Sequence, residues 1–194
     1  RFEFKLVGGS YRQEFTTDIN GEIDLSKLTP GAYEVRELEA PDGYLIDDAV
    51  RVVQVNPDEN ANFVFTNTPK PSLRLIKTSS DGTRLGGVHF RIARIEDGTH
   101  YLDRITGQDG EINIANLEPG VYSIKETATV ADHILDLQEY HVELFPGQTS
   151  TITIENQRRP NLIVYKKDAD TGDPIPDTVF TVRAADGHSV DEIK

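Results

Sequence analysis

Short runs in which apolar and polar residues alternate recur along the whole chain. Alternation with a period of two is typical of β-strands with one buried face, and no segment shows the apolar period of a long helix. Turn signals such as Asp81-Gly82 and Pro119-Gly120 separate the runs. Seven runs lie between residues 70 and 159: SLRLIKT, VHFRIARI, THYLDRI, EINIANL, GVYSIKET, EYHVELF and STITIEN. The pattern predicts an all-β fold in which about seven strands form a sandwich.

The chain also repeats itself at a constant offset. Residues Thr17–Glu37 align with Thr106–Glu126 at an offset of 89 residues. Solenoid repeats of about 20 to 50 residues are shorter than this, so each copy should contain its own core. The same offset relates two further pairs, Asn67 with Asn156 and Lys77 with Lys166. We therefore predict tandem copies of one domain.

Polar, proline-containing stretches interrupt the alternation between the copies. They lie at residues 68–72 and 157–160. We predict that residues 1–69 form a domain without its first strand, that 70–159 form a complete domain, and that 160–194 begin a third.

Composition narrows the partners that the chain can have. Lys and Arg number 20 and Asp and Glu number 33, which gives a net charge of −13 and no dense basic cluster. This balance argues against nucleic acid as a partner. There is no cysteine for a disulfide or a thiolate metal site, and no apolar run long enough to enter a membrane. Because the sequence opens at Arg1 without a signal peptide, we expect a monomeric fragment of a longer chain.

Each apolar stripe of three predicted strands ends in a polar residue on the same face. Residues two apart in a strand share a face, so the stripes can be traced by parity. In the complete copy the stripes are Leu73, Leu75 and Lys77; Tyr122, Ile124 and Glu126; and Ile152, Ile154 and Asn156. The corresponding polar residues of the other copies are Glu37, Asn67 and Lys166.

A lysine and a glutamate that both face a core should lie close together and be partly neutral. Desolvation lowers the pKa of a buried lysine and raises that of a buried glutamate. A neutral lysine is a nucleophile, and a protonated glutamate can polarise a carbonyl and move protons. Attack on an asparagine amide would release ammonia and leave a Lys–Asn isopeptide bond. A buried ion pair with an asparagine hydrogen bond, or strand ends that reach water, fits the same pattern.

Three segments resemble the B-type repeats of collagen-binding adhesins, the Cna B family, which also occurs in Gram-positive pilins. Tyr33–Tyr44 (YEVRELEAPDGY) resembles the family's glutamate strand and following turn, and Phe63–Pro69 (FVFTNTP) resembles its last strand. Leu162–Val182 (LIVYKKDADTGDPIPDTVFTV) resembles its first strand. The complete copy departs from the family over Glu126–Ile134, which lacks the A-P-x-G-Y turn. We expect this altered loop to present something different at the surface.

The resemblance implies a prealbumin-like sandwich with an autocatalytic Lys–Asn bond. Carried over by position, Lys77 is the nucleophile, Asn156 the acceptor and Glu126 the proton shuttle of the complete domain. Glu37 and Asn67 have the last two roles in the first copy, whose lysine would precede Arg1. Lys166 is the nucleophile of the third copy.

The predicted function is a structural stalk of a secreted, wall-anchored Gram-positive adhesin or pilin. The chain would cross-link itself once, without a cofactor, and would not act as an enzyme. The alternatives are a module that binds a host matrix protein or glycan and a polymerising pilin subunit. The loops are acidic and poor in aromatic residues, which does not favour a binding hot spot.

Two weaker signals are interpreted structurally. Asp168, Asp170 and Asp173 resemble part of a calcium loop, but the pattern is incomplete and favours a plain turn. The histidines have no metal-ligand spacing, and we expect them to be exposed. They are His89, His100, His133, His141 and His188.

Overall fold

The computed structural model describes residues 1–98, 101–183 and 189–193 and divides into two compact units, Arg1–Arg158 and Arg159–Lys194. In the first unit we call residues 1–69 domain 1 and residues 70–158 domain 2. Domain 1 contains β1 (Phe2–Leu6), β2 (Arg12–Phe15), β3 (Gly31–Glu37) and β4 (Arg51–Val55). Domain 2 contains β5 (Ser72–Ser79), β6 (His89–Arg94), β7 (Tyr101–Ile105), β8 (Glu111–Ile114), β9 (Gly120–Ala128), β10 (Glu139–Leu144) and β11 (Thr149–Asn156). The second unit contains β12 (Phe180–Arg183) and β13 (Ser189–Ile193).

Domain 2 is a two-sheet sandwich, and the all-β prediction is confirmed. All seven predicted strands form, and the only helical element of the described residues is one 3₁₀ turn at Ile95–Asp97. One sheet has the order β10-β9-β6-β7 and the other the order β11-β5-β8. Alternate residues of β5 are buried, as the period-two pattern requires.

The core of domain 2 lies between these sheets. Large apolar side chains from β5, β6 and β9 fill it, and they include Leu75, Phe90, Ile92 and Ile124. β5 is the middle strand of its sheet, since it pairs in parallel with β11 and antiparallel with β8. The first strand of the domain therefore lies directly beside the last.

Domain 1 forms one sheet of the order β2-β1-β3-β4. At the 89-residue offset, residues 22–25 correspond to β8 and residues 60–67 to β11, but neither segment forms a strand. The described part of domain 1 has no strand at the position of β5 that could pair with both. Phe63 and Val64 are consequently 43% and 77% exposed. In the corresponding three-stranded sheet of domain 2, each outer strand depends on the middle strand, β5, for its hydrogen bonds.

The second unit contains a hairpin of β12 and β13. The segment Leu162–Lys166, which resembles the first strand of the family, forms no strand, and its side chains are exposed. The described residues of this unit include no ladder partner for the segment. The calcium-like segment forms a turn in which Asp168 Oδ1 accepts hydrogen bonds from the backbone N–H groups of Asp170 and Thr171, both at 2.9 Å.

The linker between domains 1 and 2 is held by backbone hydrogen bonds on both sides. Thr68 O accepts from Leu45 N and Lys70 N donates to Gly43 O, each at 2.8 Å. On the other side, Pro69 O accepts from Gly147 N at 2.8 Å. The side chain of Lys70 also forms an ion pair with Glu118 of domain 2. The linker is therefore bonded to turns of both domains.

Gly110 provides a test of the close packing beside β5. Its φ is +71°, and an added Cβ would lie 2.8 Å from Lys77 O and 2.9 Å from Leu85 N. Gly82 has a similar φ of +85° with nothing within 4 Å of an added Cβ. Because both replacements strain the backbone but only one meets backbone atoms, Gly110→Ala should lower the free energy of unfolding by about 1 to 3 kcal/mol more than Gly82→Ala. Denaturant unfolding of the two variants measures the difference, and equal losses would contradict it.

Candidate functional site

Lys77, Glu126 and Asn156 come together in the interior of domain 2. Their exposed fractions are 0%, 3% and 1%. In the parallel ladder Ile154 is the partner of Lys77 and Asn156 is the partner of Ser79. Lys77 and Asn156 therefore lie on the same face of adjacent strands, two residues apart in register. Glu126 reaches them from β9 in the other sheet.

One carboxyl group contacts both of the other side chains. Glu126 Oε1 accepts a hydrogen bond of 2.7 Å from Asn156 Nδ2, and Glu126 Oε2 lies 3.7 Å from Lys77 Nζ. Lys77 Nζ also donates to Ile154 O at 3.0 Å. The carboxyl can thus pass a proton between the lysine nitrogen and the amide nitrogen.

Burial lowers the pKa of Lys77. Desolvation holds the pKa of its amine below the ordinary value of 10.5, and the negative charges of Glu126 and Asp136 oppose this shift. The direction of the shift increases the fraction of neutral amine at a given pH. A neutral amine beside an amide is the reactive form of a lysine nucleophile.

The hydrogen bonding of the site is incomplete. Within the described residues, Glu126 Oε2 and Asn156 Oδ1 are buried without a hydrogen-bond partner. The 3.7 Å from Glu126 Oε2 to Lys77 Nζ exceeds the usual length of a charge-assisted hydrogen bond. A buried ion pair is favourable only with good geometry and satisfied polar atoms. This geometry therefore suits a reactive centre better than an optimised ion pair.

Asp136 and Tyr140 lie beside the site and were not predicted. Tyr140 donates its hydroxyl to Asp136 Oδ2 at 2.7 Å, and this bond, together with burial, raises the pKa of Tyr140 to about 12. Asp47 is the counterpart of Asp136 at the 89-residue offset, and its N–H donates to Glu37 Oε2 at 2.8 Å. The recurrence of aspartate at this offset is the sequence signal that could have identified the position.

Domain 1 contains the glutamate and asparagine of the same arrangement. Asn67 Nδ2 donates to Glu37 Oε2 at 2.6 Å and to Leu45 O at 3.0 Å. Glu37 is buried, whereas Asn67 is half-buried. The described residues include no lysine paired with this glutamate. Domain 1 therefore has the acceptor half of the centre.

Lys166, the predicted nucleophile of the third copy, is exposed. Its Nζ donates to Lys167 O at 3.2 Å. In the described part of its unit it contacts no carboxylate or asparagine amide, so its predicted role stays a prediction.

One residue of the loop that departs from the family pattern, His133, is buried. It stands where domain 1 has Tyr44, and the two are 4% and 42% exposed. His133 Nε2 lies 3.0 Å from Oγ of Ser79, the residue that pairs with Asn156. The expectation of an exposed His133 is therefore wrong, because the ring fills space beside the end of β5, whereas Ala131, Asp132 and Ile134 of the same loop are exposed. His89 and His141 are exposed, and His100 and His188 lie outside the described residues.

Thr129, in the same loop, contacts the side-chain amide of Asn156. Its Oγ1 accepts a hydrogen bond of 2.8 Å from Asn156 Nδ2. Parity could not identify this residue because it follows the last residue of β9 and its direction is set by the loop.

The described chain also gives no sign of a metal centre. No group of three or more His, Cys, Asp or Glu side chains there could hold a metal ion. None of the helical segments that the structure describes is long and apolar enough to cross a membrane.

Comparison with known families gives one extended match. The profile of the SpaA family, described as a prealbumin-like fold domain, matches residues 1–69 and 71–158. Curated relatives include the human BOS complex subunits NOMO3 and NOMO1, each 24% identical over 165 residues and 84% of this chain. The chain spans 13% of the length of these relatives.

Similar solved structures come from Gram-positive bacteria. The Bacillus anthracis TIE protein is 24% identical with a TM-score of 0.48, and the match covers 98% of this chain and 37% of that one. GBS52, the minor pilin of Streptococcus agalactiae, is 22% identical with a TM-score of 0.44 over 81% of this chain and 73% of that one. A streptococcal ancillary pilin is 24% identical with a TM-score of 0.43 over 84% and 56%.

The inward position of His133 can be tested at its partner. Ser79→Ala removes the hydroxyl that His133 contacts, and the loss of a buried hydrogen bond should lower the free energy of unfolding by about 1 to 3 kcal/mol. The exposed neighbour Ser80 is the matched control, and Ser80→Ala should change it by less than about 0.5 kcal/mol. Thermal or denaturant unfolding distinguishes the two, and a Ser79→Ala variant as stable as Ser80→Ala would contradict the inward placement.

Proposed function

Because the chain belongs to the SpaA family of prealbumin-like fold domains, we propose that domain 2 forms an isopeptide bond between Lys77 and Asn156 without external help. The bond would make the chain a rigid stalk segment of a surface adhesin or pilin, secreted and anchored to a Gram-positive cell wall. The observation that carries the proposal is the buried carboxyl of Glu126, which contacts both the lysine nitrogen and the amide nitrogen.

The atoms that react come from these three side chains. The neutral Nζ of Lys77 attacks Cγ of Asn156, and charge moves onto Oδ1. One proton leaves Nζ and reaches Nδ2 through the carboxyl of Glu126. The Cγ–Nδ2 bond then breaks, ammonia departs and the carbonyl re-forms. Glu126 ends in its starting protonation state, and because the product stays attached, the reaction occurs once per domain and is not enzymatic turnover.

The positions of the joined residues support a mechanical role. The bond would connect β5, by which the chain enters domain 2, with β11, by which it leaves. Tension applied at both ends would pass through this covalent link and bypass most of the sheet. A closed loop of about 80 residues would also stabilise the domain by about 4 to 5 kcal/mol, by analogy with disulfide loops.

The linker of the first unit supports the role of a spacer. Its backbone is bonded to Gly43 and Leu45 of domain 1 and to Gly147 of domain 2. A linker bonded on both sides limits bending between consecutive domains, as a stalk requires.

Intact mass tests the bond. The purified chain should weigh less than its sequence by one ammonia, and Glu126→Ala should restore the full mass because the proton shuttle is lost. Glu37→Ala, which changes the counterpart in domain 1, is the matched control and should keep the deficit. A parent chain of full mass would contradict the proposal and leave Lys77 and Glu126 as an ordinary buried ion pair.

The pH dependence of bond formation follows from Lys77. Only the unprotonated amine attacks, so the rate should increase with pH and level off near the Lys77 pKa. Because burial lowers that pKa, the plateau should begin below the ordinary value of 10.5. Mass spectrometry of newly synthesised chain, quenched at intervals in buffers of different pH, measures the profile. A rate that still increases beyond that value would contradict the lowered pKa.

A further inference from the structure

The leaving nitrogen of Asn156 has two oxygen acceptors in domain 2. One is Glu126 Oε1 at 2.7 Å and the other is Thr129 Oγ1 at 2.8 Å. Thr129 is half-buried and directly follows Ala128, the last residue of β9. The carboxyl of Glu126 carries the proton in the proposed reaction, whereas that proton transfer does not use the hydroxyl of Thr129.

We propose that Thr129 is a second catalytic residue of domain 2, whose hydroxyl oxygen holds and stabilises the leaving nitrogen of Asn156. This inference rests on the proposed isopeptide reaction. The occupant of the site is the chain's own amide, so no external ligand is required.

The reaction itself explains why a second acceptor is useful. Before attack, Nδ2 is a neutral amide nitrogen with two hydrogens, and each oxygen can accept one. After proton transfer it is an ammonium group with three hydrogens and a positive charge. Hydrogen bonds to a charged group are about twice as strong as those between neutral groups. The contact with Thr129 therefore strengthens as the proton reaches Nδ2, which stabilises the intermediate from which the Cγ–Nδ2 bond breaks.

The same contact fixes the orientation of the amide. With one hydrogen held by Thr129 and the other by Glu126, Nδ2 stays against the carboxyl that must deliver its proton. Loss of the hydroxyl would leave one hydrogen bond and allow the amide to turn about its Cβ–Cγ bond. Well-oriented reacting groups account for a large part of the rate of intramolecular reactions.

Domain 1 provides the second acceptor from a different atom. At the 89-residue offset, Ala40 stands in the place of Thr129 and cannot accept a hydrogen bond through its side chain. There Asn67 Nδ2 donates to Leu45 O at 3.0 Å in addition to Glu37. The two domains thus give the asparagine amide nitrogen the same number of oxygen partners by different means. This agreement supports a role for the second acceptor, in which the hydroxyl of Thr129 takes the place of a backbone carbonyl.

The test compares rates of ammonia loss in variants of Thr129. Thr129→Val keeps the size of the side chain and removes the hydroxyl, whereas Thr129→Ser keeps the hydroxyl. Thr127→Val, at an exposed position of β9, is the matched control. Each chain is made by cell-free synthesis and quenched in denaturant at intervals, and intact mass gives the fraction that has lost ammonia.

Thr129→Val should lose ammonia about ten- to hundredfold more slowly than the parent, which is the rate equivalent of one hydrogen bond to a charged group. Thr129→Ser and Thr127→Val should react close to the parent rate. The pH profile of Thr129→Val should keep the parent's shape, because Lys77 remains buried, whereas a loosened site would shift the profile towards that of an exposed lysine. Circular dichroism checks the fold, and Thr129→Ala, which copies Ala40, replaces the valine variant if that variant does not fold.

Three results would overturn the inference. A Thr129→Val rate equal to that of the parent would show that the hydroxyl is not used, while the Lys77–Asn156 bond would stand. A Thr129→Ser rate as slow as that of Thr129→Val would show that the methyl group or the loop matters and not the hydroxyl. A parent chain that never loses ammonia would remove both this inference and the proposed function.

Discussion

Lys77 is completely buried between the two sheets of domain 2, and this burial constrains the side chains around it. An ammonium group without water is costly, so the domain must supply a partner or favour the neutral amine. Glu126 is that partner, but its second oxygen has no hydrogen bond and the ion-pair distance is long. The proposed reaction removes the cost of a buried ammonium group, because a neutral amide replaces the amine.

The position of this centre follows from the order of the strands. Because β5 is the middle strand of its sheet and pairs in parallel with β11, the first and last strands of the domain lie side by side. Domain 1 illustrates how much depends on that middle strand. Without a strand at this position in its described residues, the segments that correspond to β8 and β11 form no strands. Its glutamate and asparagine still meet through the hydrogen bond from Asn67 Nδ2 to Glu37 Oε2, and Asn67 Nδ2 also donates to Leu45 O.

Strand parity was sufficient to predict the sandwich and to place three polar residues on the core face. A strand fixes the direction of each side chain, so Lys77, Glu126 and Asn156 could be identified as core-facing from spacing alone. Thr129 and His133 could not, because they lie in a loop whose backbone path sets their directions. For the same reason His133 was expected to be exposed, although it packs inward against Ser79. Residues 60–67 have the sequence pattern of a last strand but form none, because a strand also needs a neighbour for its hydrogen bonds.

Tandem mass spectrometry of a proteolytic digest of the purified chain would detect the Lys77–Asn156 bond itself. We expect a branched peptide in which the side chain of Lys77 is joined to that of Asn156 with the loss of one ammonia, together with few or no free peptides that contain either residue. Recovery of two separate linear peptides with unmodified Lys77 and Asn156 would contradict it. A branched peptide that joins Lys77 to a different residue would contradict the assigned acceptor.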